Sequence, residues 1–192
     1  MKNPIMVGER VYLRPQEAGD AEALTNGLTH DPETFFERGR FPVSPMAWEH
    51  YIEQSAKSGM PKEASFVVCL VATDEVIGSL NIDHLDLINR TGETGSFLFA
   101  PYRNQGYGPE AKHLLLEYCF DHLHLHTICS HVWEPNTRSA AALKKQGYKF
   151  AGRLKWDDYK DGVYRDTLVF DLLREDWLEA RDAWRQSRQA SR

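Results

Sequence analysis

Residues 94 to 133 constrain the fold of this chain more tightly than any other segment. They read in order as a strand (Thr94 to Phe99), a glycine-bearing loop, a helix (Pro109 to Leu123) and a second strand (Thr127 to Trp133). Two strands of one sheet that are joined by a helix need a crossover connection, whereas the strands of a hairpin need only a tight turn. The sequence therefore predicts one crossover in the middle of the chain.

Hairpins lie on both sides of this segment. Strands over Ser65 to Thr73 and Val76 to Leu85 meet at the turn Asp74-Glu75, and strands over Phe150 to Trp156 and Val163 to Leu173 meet at the turn 160–162. The remaining predicted elements are a strand over Arg10 to Arg14, a helix over Asp20 to Thr29, a helix that opens at Ser44-Pro45, a helix capped by Asn136 and ended by Gly147, and a closing helix with Trp177 and Trp184. This order predicts an α/β (α+β-like) fold, in which helices flank a single mixed, mostly antiparallel central sheet. No repeat or linker interrupts it, so we expect one domain over residues 1–192.

Charge and cysteine usage exclude several classes of function. The net charge of −5 over 192 residues argues against a nucleic-acid-binding protein, which usually carries a basic face. No run of 18 or more apolar residues predicts a membrane-spanning helix, and the first ten residues lack the apolar run of a signal peptide. The 3 cysteines lack CxxC spacing, which indicates reduced thiols and a cytoplasmic protein with no membrane partner.

The loop before the central helix has the chemistry of an anion site, and we call Arg103-Asn104-Gln105-Gly106-Tyr107-Gly108 the phosphate loop. Unpaired N–H groups and the helix dipole favour an anion at a helix N-terminus. Gly106 and Gly108 lack side chains that would keep an anion from the backbone. Arg103 adds a positive charge, and Pro109 is predicted at the first helical position, where its missing N–H costs nothing. The loop therefore predicts a site for a phosphate or pyrophosphate.

The same glycines also fit a dinucleotide fingerprint, Gly106-x-Gly108-x-x-Ala111, and Glu134 follows at about the expected distance. In a Rossmann unit the first glycine comes almost directly after the strand, whereas residues 101–105 intervene here. The C-terminal half also has hairpins rather than further strand–helix–strand units. A dinucleotide-dependent oxidoreductase is therefore a weak interpretation of this loop, which titration with NAD would test.

Four segments in register resemble the GNAT superfamily of acyl-CoA-dependent N-acetyltransferases. They are Arg103-xx-Gly106-x-Gly108, the run Asn136–Ser139 with Gln146–Tyr148, Glu93-x-Gly95, and Gly162-x-x-Arg165-Asp166. The last two, with the segment Leu173–Trp177, resemble the branch that acetylates the N-termini of ribosomal proteins. The resemblance spans roughly Val7 to Trp177 and implies a GNAT fold, in which the central parallel strands splay apart around the pantetheine arm of acetyl-CoA.

The resemblance also implies roles for individual residues. Glu93 would be the general base, directly or through a water, and Ser139 would interact with the leaving thiolate. A backbone N–H of Leu98 or Phe99 would stabilise the negative charge on the thioester oxygen. The residues implied to bind the cofactor are Phe97, Leu98, Phe99, Arg103, Asn104, Gln105, Gly106, Tyr107, Gly108, Asn136 and Ser139.

One position departs from the superfamily pattern. Many members carry a tyrosine acid four residues before the glycine that ends this helix, and here that position is Leu143. Leucine cannot donate a proton, which favours Ser139 for the thiolate. The departure also leaves open a non-catalytic CoA-binding sensor.

The acceptor is predicted only as a class. Acidic residues cluster at Asp31, Glu33 and Glu37 and again at Asp157, Asp158 and Asp161, and such clusters suit a cationic amine. A protein N-terminus, an aminoglycoside and a polyamine all qualify, and the family implies a homodimer. The aromatic side chains of Trp48, Phe35, Phe36 and Trp133 are candidates for an acceptor pocket or for an aromatic core.

No metal is expected from the sequence. His122-x-His124-x-His126 invites a metal site, but it falls at the predicted end of a helix, where alternate side chains diverge. Cys119 and Cys129 are expected to be buried thiols rather than nucleophiles. His131 is read as a packed core histidine rather than an acceptor contact.

Overall fold

The computed structural model describes residues 1–29, 31, 43–57, 62–160 and 162–190. Eight strands and five α-helices are found within these residues. In chain order they are β1 (Met6–Val7), β2 (Val11–Pro15), α1 (Ala21–Thr29), α2 (Pro45–Lys57), β3 (Ala64–Leu70), β4 (Val76–Asp86), β5 (Thr91–Leu98), α3 (Tyr107–Glu117), β6 (Thr127–Trp133), α4 (Thr137–Lys145), β7 (Lys149–Lys160), β8 (Val163–Leu173) and α5 (Arg174–Ala190).

The strands form one mixed sheet in the order β1-β2-β3-β4-β5-β6-β8-β7. The pair β5–β6, joined through α3, is parallel, and the pairs β1–β2, β2–β3, β3–β4, β6–β8 and β7–β8 are antiparallel. The predicted fold class and the single central crossover are therefore confirmed. No helix among the described residues is long and apolar enough to cross a membrane.

The chain divides into two compact units, which are described separately. The first contains Met1–Asp83 and Ser96–Leu115. Its core joins side chains of α1, α2, β2 and β3 to Phe99, which follows β5; the buried members are Tyr12, Ala21, Leu24, Trp48, Ile52, Val67, Cys69 and Phe99. Gly27 has no side chain because a Cβ there would lie 2.2 Å from the Phe99 ring. Trp48 belongs to this core, which favours the aromatic-core reading of that residue.

The second unit contains His84–Gly95 and Leu116–Arg192. Its core includes Trp177 of α5, which is fully buried and stacks on Phe120 with ring centroids 5.2 Å apart. Gly147, predicted to end α4, has φ +95, and a Cβ there would lie 2.7 Å from the Asp176 carbonyl oxygen. Only glycine combines that backbone conformation with so close an approach of α5.

The parallel pair is hydrogen-bonded in register over a short length, from Thr91 opposite Thr127 to Glu93 opposite Cys129. Past this paired stretch, hydrogen bonds of side-chain hydroxyl groups hold the neighbouring segments together. The Ser130 hydroxyl donates to the Thr94 carbonyl oxygen at 2.7 Å, and the Thr94 hydroxyl lies 2.7 Å from the Tyr148 hydroxyl. Hydroxyl groups satisfy the backbone where ladder pairing ends, as buried polar groups require.

Several predicted boundaries were wrong, and those of two elements bear on the site. The strand before the phosphate loop begins at Thr91 rather than Thr94, so Glu93 lies within β5 instead of in a turn. The helix after the loop begins at Tyr107 rather than Pro109 and ends at Glu117, followed by a π-helical turn over Tyr118–His122. Pro109 is thus the third residue of α3 and still lies in the first turn, where a backbone N–H has no helical partner.

Candidate active site

The phosphate loop follows a 3-10 turn at Ala100–Tyr102 and runs into the first turn of α3. Asn104 and Gly106 have φ values of +60 and +82, so the backbone is in the left-handed region at both positions before the helix begins. The stretch from Asn104 to Gly106 is exposed. A Cβ at Gly108 would lie 3.3 Å from the Leu98 side chain, which is tight but not forbidden. This exposed backbone at a helix N-terminus fits a phosphate group.

Arg103 does not extend its charge from the loop as the sequence predicted. Its Nη1 atom donates to Asp31 Oδ1 at 3.0 Å, and its Nη2 atom pairs with the other carboxylate oxygen. Its Nε atom donates to the Leu98 carbonyl oxygen at 2.9 Å. The Asp31 side chain is 0% exposed and that of Arg103 is 12% exposed. The guanidinium therefore links the end of β5 to Asp31, and Asp31 is a buried ion-pair partner instead of an acceptor-binding carboxylate.

The cation beside the loop is Arg10, which the sequence analysis did not select. Its Nη1 atom donates to the Gln105 carbonyl oxygen at 2.9 Å, and its guanidinium stacks over the Tyr107 ring at 4.7 Å. Its Nε atom donates to Glu110, whose buried carboxylate also accepts from the Arg10 backbone N–H at 2.8 Å. Ninety-five residues separate Arg10 from Gln105. A sequence pattern within one segment cannot indicate a contact between residues so far apart in the chain.

The end of β5 distinguishes between the two predicted oxyanion donors. The Phe99 backbone N–H donates to the Ile77 carbonyl oxygen of β4 at 2.9 Å and is therefore occupied. Because successive N–H groups of a strand point to opposite sides, the Leu98 N–H is directed away from β4. A Cβ at Gly78 would lie 2.9 Å from the Leu98 Cα atom, so glycine permits this close approach of β4. Of the two predicted donors, the geometry retains Leu98.

Glu93 is held between two imidazoles. Its Oε1 atom lies 2.9 Å from His131 Nδ1 and its Oε2 atom 3.2 Å from His84 Nδ1. The Glu93 side chain is 24% exposed, that of His131 35% and that of His84 84%. The Cys129 thiol lies near the same carboxylate. Its Sγ atom, a Glu93 carboxylate oxygen and a His131 ring nitrogen are all within 4.8 Å of one another. We call these four residues the Glu93 cluster.

His131 was predicted to be a packed core histidine, and this prediction was wrong. Residue i and residue i+2 of a strand share one face, so His131 lies on the same face of β6 as Cys129, which is opposite Glu93 in the β5–β6 register. The alternation of side chains along β6 already places Cys129 and His131 on one face. The register that aligns Glu93 with Cys129, however, is a property of the folded sheet.

Asn136 and Ser139 are brought together at the start of α4. The Asn136 side chain accepts from the Ser139 backbone N–H at 3.1 Å, which confirms the predicted N-cap. Ser139 itself is half-buried. Leu143 is buried at 5% exposure. Burial raises the pKa of Tyr148, the tyrosine nearest to that position in sequence, and its hydroxyl is bonded to Thr94.

The hairpin of β7 and β8 carries a bulge that Asp166 stabilises. The register between these strands shifts between Leu154 and Asp158. Asp166 accepts from the Trp156 backbone N–H at 2.9 Å and from Arg153 at 3.0 Å, and Trp156 has a φ of +55. The Arg165-Asp166 motif thus has a structural role in this hairpin. Asp157 is exposed within the bulge.

The other predicted site residues divide into four groups. The segment from His122 to His126 lies in the π-helical turn and the bends that follow it, so these histidines do not share a strand face. Cys119 is fully buried, as expected, whereas Cys129 is only half-buried; the three cysteines, all among the described residues, form no disulfide with one another. Trp133 is half-buried on β6. Glu33, Phe35, Phe36, Glu37 and Asp161 lie outside the described residues.

Comparison with known families gives a match to the acetyltransferase (GNAT) domain over residues 10–149. That span contains the phosphate loop, the Glu93 cluster and α4. Among curated proteins, the chain is 22% identical over 174 residues to a putative ribosomal N-acetyltransferase, YdaF, of Bacillus subtilis (strain 168). The alignment covers 89% of this chain and 95% of the relative.

Solved structures show the same fold. A chimera of the spermidine N-acetyltransferase SpeG from Vibrio cholerae and hSSAT superposes with a TM-score of 0.81 at 22% identity, covering 88% of this chain and 99% of that one. RimL, a ribosomal L7/L12 alpha-N-protein acetyltransferase in complex with coenzyme A, superposes with a TM-score of 0.80 at 15% identity, covering 88% and 97%.

Proposed function

Because the chain belongs to the GNAT family of acetyltransferases, and is therefore an acyltransferase, we propose that it moves an acetyl group from acetyl-CoA to a primary amine. The amine attacks the thioester directly, with both substrates bound at once. The observation that carries this proposal is the family match over residues 10–149, which includes the loop and Glu93 in one domain. In this proposal residues 1–192 form that single N-acetyltransferase domain.

Donor binding is assigned to backbone groups. The backbone N–H groups of the phosphate loop and of the first turn of α3 bind the pyrophosphate, and Gly106 keeps this surface open. Arg10 stabilises the loop through Gln105 and Tyr107. Strand β5 binds the pantetheine arm through its backbone near Phe97, and Asn136 adds a polar contact from the start of α4.

Proton transfer is assigned to Glu93 and Ser139. Glu93 accepts a proton from the ammonium form of the acceptor, directly or through a water, and the neutral nitrogen then attacks the acetyl carbon. The Leu98 N–H stabilises the negative charge that develops on the acetyl oxygen. As the carbon–sulfur bond breaks, the Ser139 hydroxyl donates a proton to the departing thiolate. It regains one, through water, from the positively charged nitrogen of the tetrahedral intermediate, which leaves the neutral amide. The contacts of Glu93 with His84 and His131 support its role because they orient the carboxylate.

The acceptor is proposed to be a protein N-terminus or a small cationic amine. Relatives named for ribosomal-protein and spermidine acetylation support both classes. Asp157, exposed in the β7 bulge, is a candidate contact for a cationic acceptor.

The experiment is an acetyl-CoA assay with a free-thiol readout over a panel of N-terminal peptides, polyamines and aminoglycosides. We expect thiol release that depends on one acceptor class, with the acetyl group recovered on its primary amine. Acetyl-CoA binding with no thiol release over the whole panel would favour a non-catalytic CoA sensor. Stabilisation by NAD and not by acetyl-CoA would favour the oxidoreductase. The homodimer implied by the family stays a prediction, which light scattering would test.

A further inference from the structure

The Glu93 cluster gathers ligand types that the acetyl-transfer mechanism does not require. In that mechanism the contacts of His84 and His131 orient the Glu93 carboxylate, but the Cys129 thiol beside Glu93 and His131 has no role. We propose that Glu93, Cys129 and His131, with a water as the fourth ligand, form a binding site for Zn²⁺ that inhibits the enzyme. The inhibitory part of this inference rests on the proposed function of Glu93.

Strand geometry brings the three inner ligands together. Cys129 and His131 lie two residues apart on β6 and share a face. Glu93 is directly opposite Cys129 in the parallel register, so its side chain rises on that face too. The convergence therefore depends on backbone pairing and not on the rotamer of one long side chain. His84, on β4, approaches the second carboxylate oxygen at 3.2 Å.

The spacing is close to that of a tetrahedral site. Metal–ligand distances of about 2.0–2.3 Å place the ligand atoms of tetrahedral zinc roughly 3.3–3.8 Å apart. The three inner ligand atoms lie within 4.8 Å of one another, and the two Glu93–imidazole contacts are 2.9 and 3.2 Å. The Glu93–His131 distance must lengthen slightly to admit the metal, and any pair of ligand atoms near 4.8 Å must come closer. Side-chain rotations are large enough for both changes.

The donor set selects the metal. Sulfur, imidazole nitrogen and carboxylate oxygen together suit Zn²⁺ and related divalent transition metals, whereas Mg²⁺ and Ca²⁺ prefer oxygen ligands alone. On binding, Cys129 loses its thiol proton to water, and His131 binds the metal through Nδ1 as the neutral tautomer that carries its proton on Nε2.

Zinc binding prevents Glu93 from acting as the general base. A carboxylate coordinated to Zn²⁺ gives its lone pairs to the metal and no longer accepts a proton from the acceptor amine. Removal of the metal by a chelator restores the carboxylate. The site thus makes the proposed acetyl transfer sensitive to free zinc.

Cobalt(II) titration of the chelator-treated full chain tests the site without acetyl-CoA. We expect a thiolate-to-cobalt charge-transfer band that saturates at about one metal per chain and is displaced by Zn²⁺. Cys129→Ala should abolish the band, and His131→Gln should weaken cobalt binding by about tenfold or more. The matched control is Cys119→Ala, a buried cysteine of the same unit outside the cluster, which should keep the band. Thermal unfolding of each variant checks that it is folded.

No charge-transfer band in the wild-type chain, or an equal band in folded Cys129→Ala, would overturn the site. The second readout is zinc inhibition of acetyl transfer, taken relative to the metal-free rate of each variant. We expect inhibition in the wild type and in Cys119→Ala, and at least about tenfold weaker inhibition in Cys129→Ala. Metal binding with undiminished turnover would overturn the inhibitory role. A chain that binds cobalt but transfers no acetyl group to any amine would refute the proposed function and leave the metal site standing.

Discussion

The phosphate loop and the Glu93 cluster differ in whether backbone groups or side chains are the functional groups. In the loop the groups that suit a ligand are backbone groups, and the side chain of Arg103 is turned into a buried ion pair. In the Glu93 cluster the groups are side chains from β4, β5 and β6. A substitution in the loop therefore acts by straining the backbone, and a substitution in the cluster acts on proton transfer. The first should alter donor binding and the second turnover.

The largest expected effect is that of Glu93→Gln. The amide keeps the size of the side chain but cannot accept the proton, so turnover should fall by about 10²- to 10³-fold. The Michaelis constant for acetyl-CoA should change by less than about threefold, because the loop is intact. Steady-state kinetics measure both. Glu117→Gln, a surface glutamate paired with Arg185, is the control and should behave as wild type. Wild-type turnover in Glu93→Gln would remove the assigned base.

Arg103→Gln tests whether Arg103 stabilises the fold or binds acetyl-CoA. It takes the guanidinium from the buried Asp31 carboxylate, so the free energy of unfolding should fall by about 3 kcal/mol. Urea unfolding measures this, and Asp31→Asn combined with Arg103→Gln should recover part of the loss. At temperatures where the variant is folded, acetyl-CoA affinity should stay within about threefold of wild type. A large loss of affinity with unchanged stability would show that Arg103 binds the phosphate itself.

Gly106→Val tests the backbone of the loop. A β-branched residue is strained at a φ of +82, and its Cβ would approach Arg10 Nη2 at 3.0 Å. We expect the Michaelis constant for acetyl-CoA to rise by about tenfold with a smaller change in turnover. Gly162→Val is the matched control, since Gly162 has a φ of +77 with open space around it and lies outside the loop. Equal effects of the two variants would mean that strain alone, and not the loop, lowers activity.

Ser139→Ala should have the smallest effect on the reaction. Coenzyme A thiolate is a good leaving group, so loss of the hydroxyl should lower turnover by about fivefold to tenfold. The Asn136 cap uses the Ser139 backbone N–H, which alanine retains, so stability should not change appreciably. Steady-state kinetics with thermal unfolding test this. A drop in stability that matches the drop in activity would make Ser139 a structural residue.

Local features of this fold were predictable, and register-dependent ones were not. The positions of β6 and β8, the Asn136 cap and the end of α4 at Gly147 follow from alternation, capping chemistry and glycine conformation within a few residues. The partners of Arg103, Arg10 and Glu93 are set by contacts between distant segments. A basic residue beside two glycines looks the same in sequence whether its charge is free or paired to Asp31.

The most direct test of the division between the two regions is calorimetric binding of acetyl-CoA, without acceptor, to the wild type, Glu93→Gln and Gly106→Val. The predicted result is wild-type affinity, within about threefold, for Glu93→Gln and at least about tenfold weaker binding for Gly106→Val. Weak binding by Glu93→Gln together with wild-type binding by Gly106→Val would contradict the account.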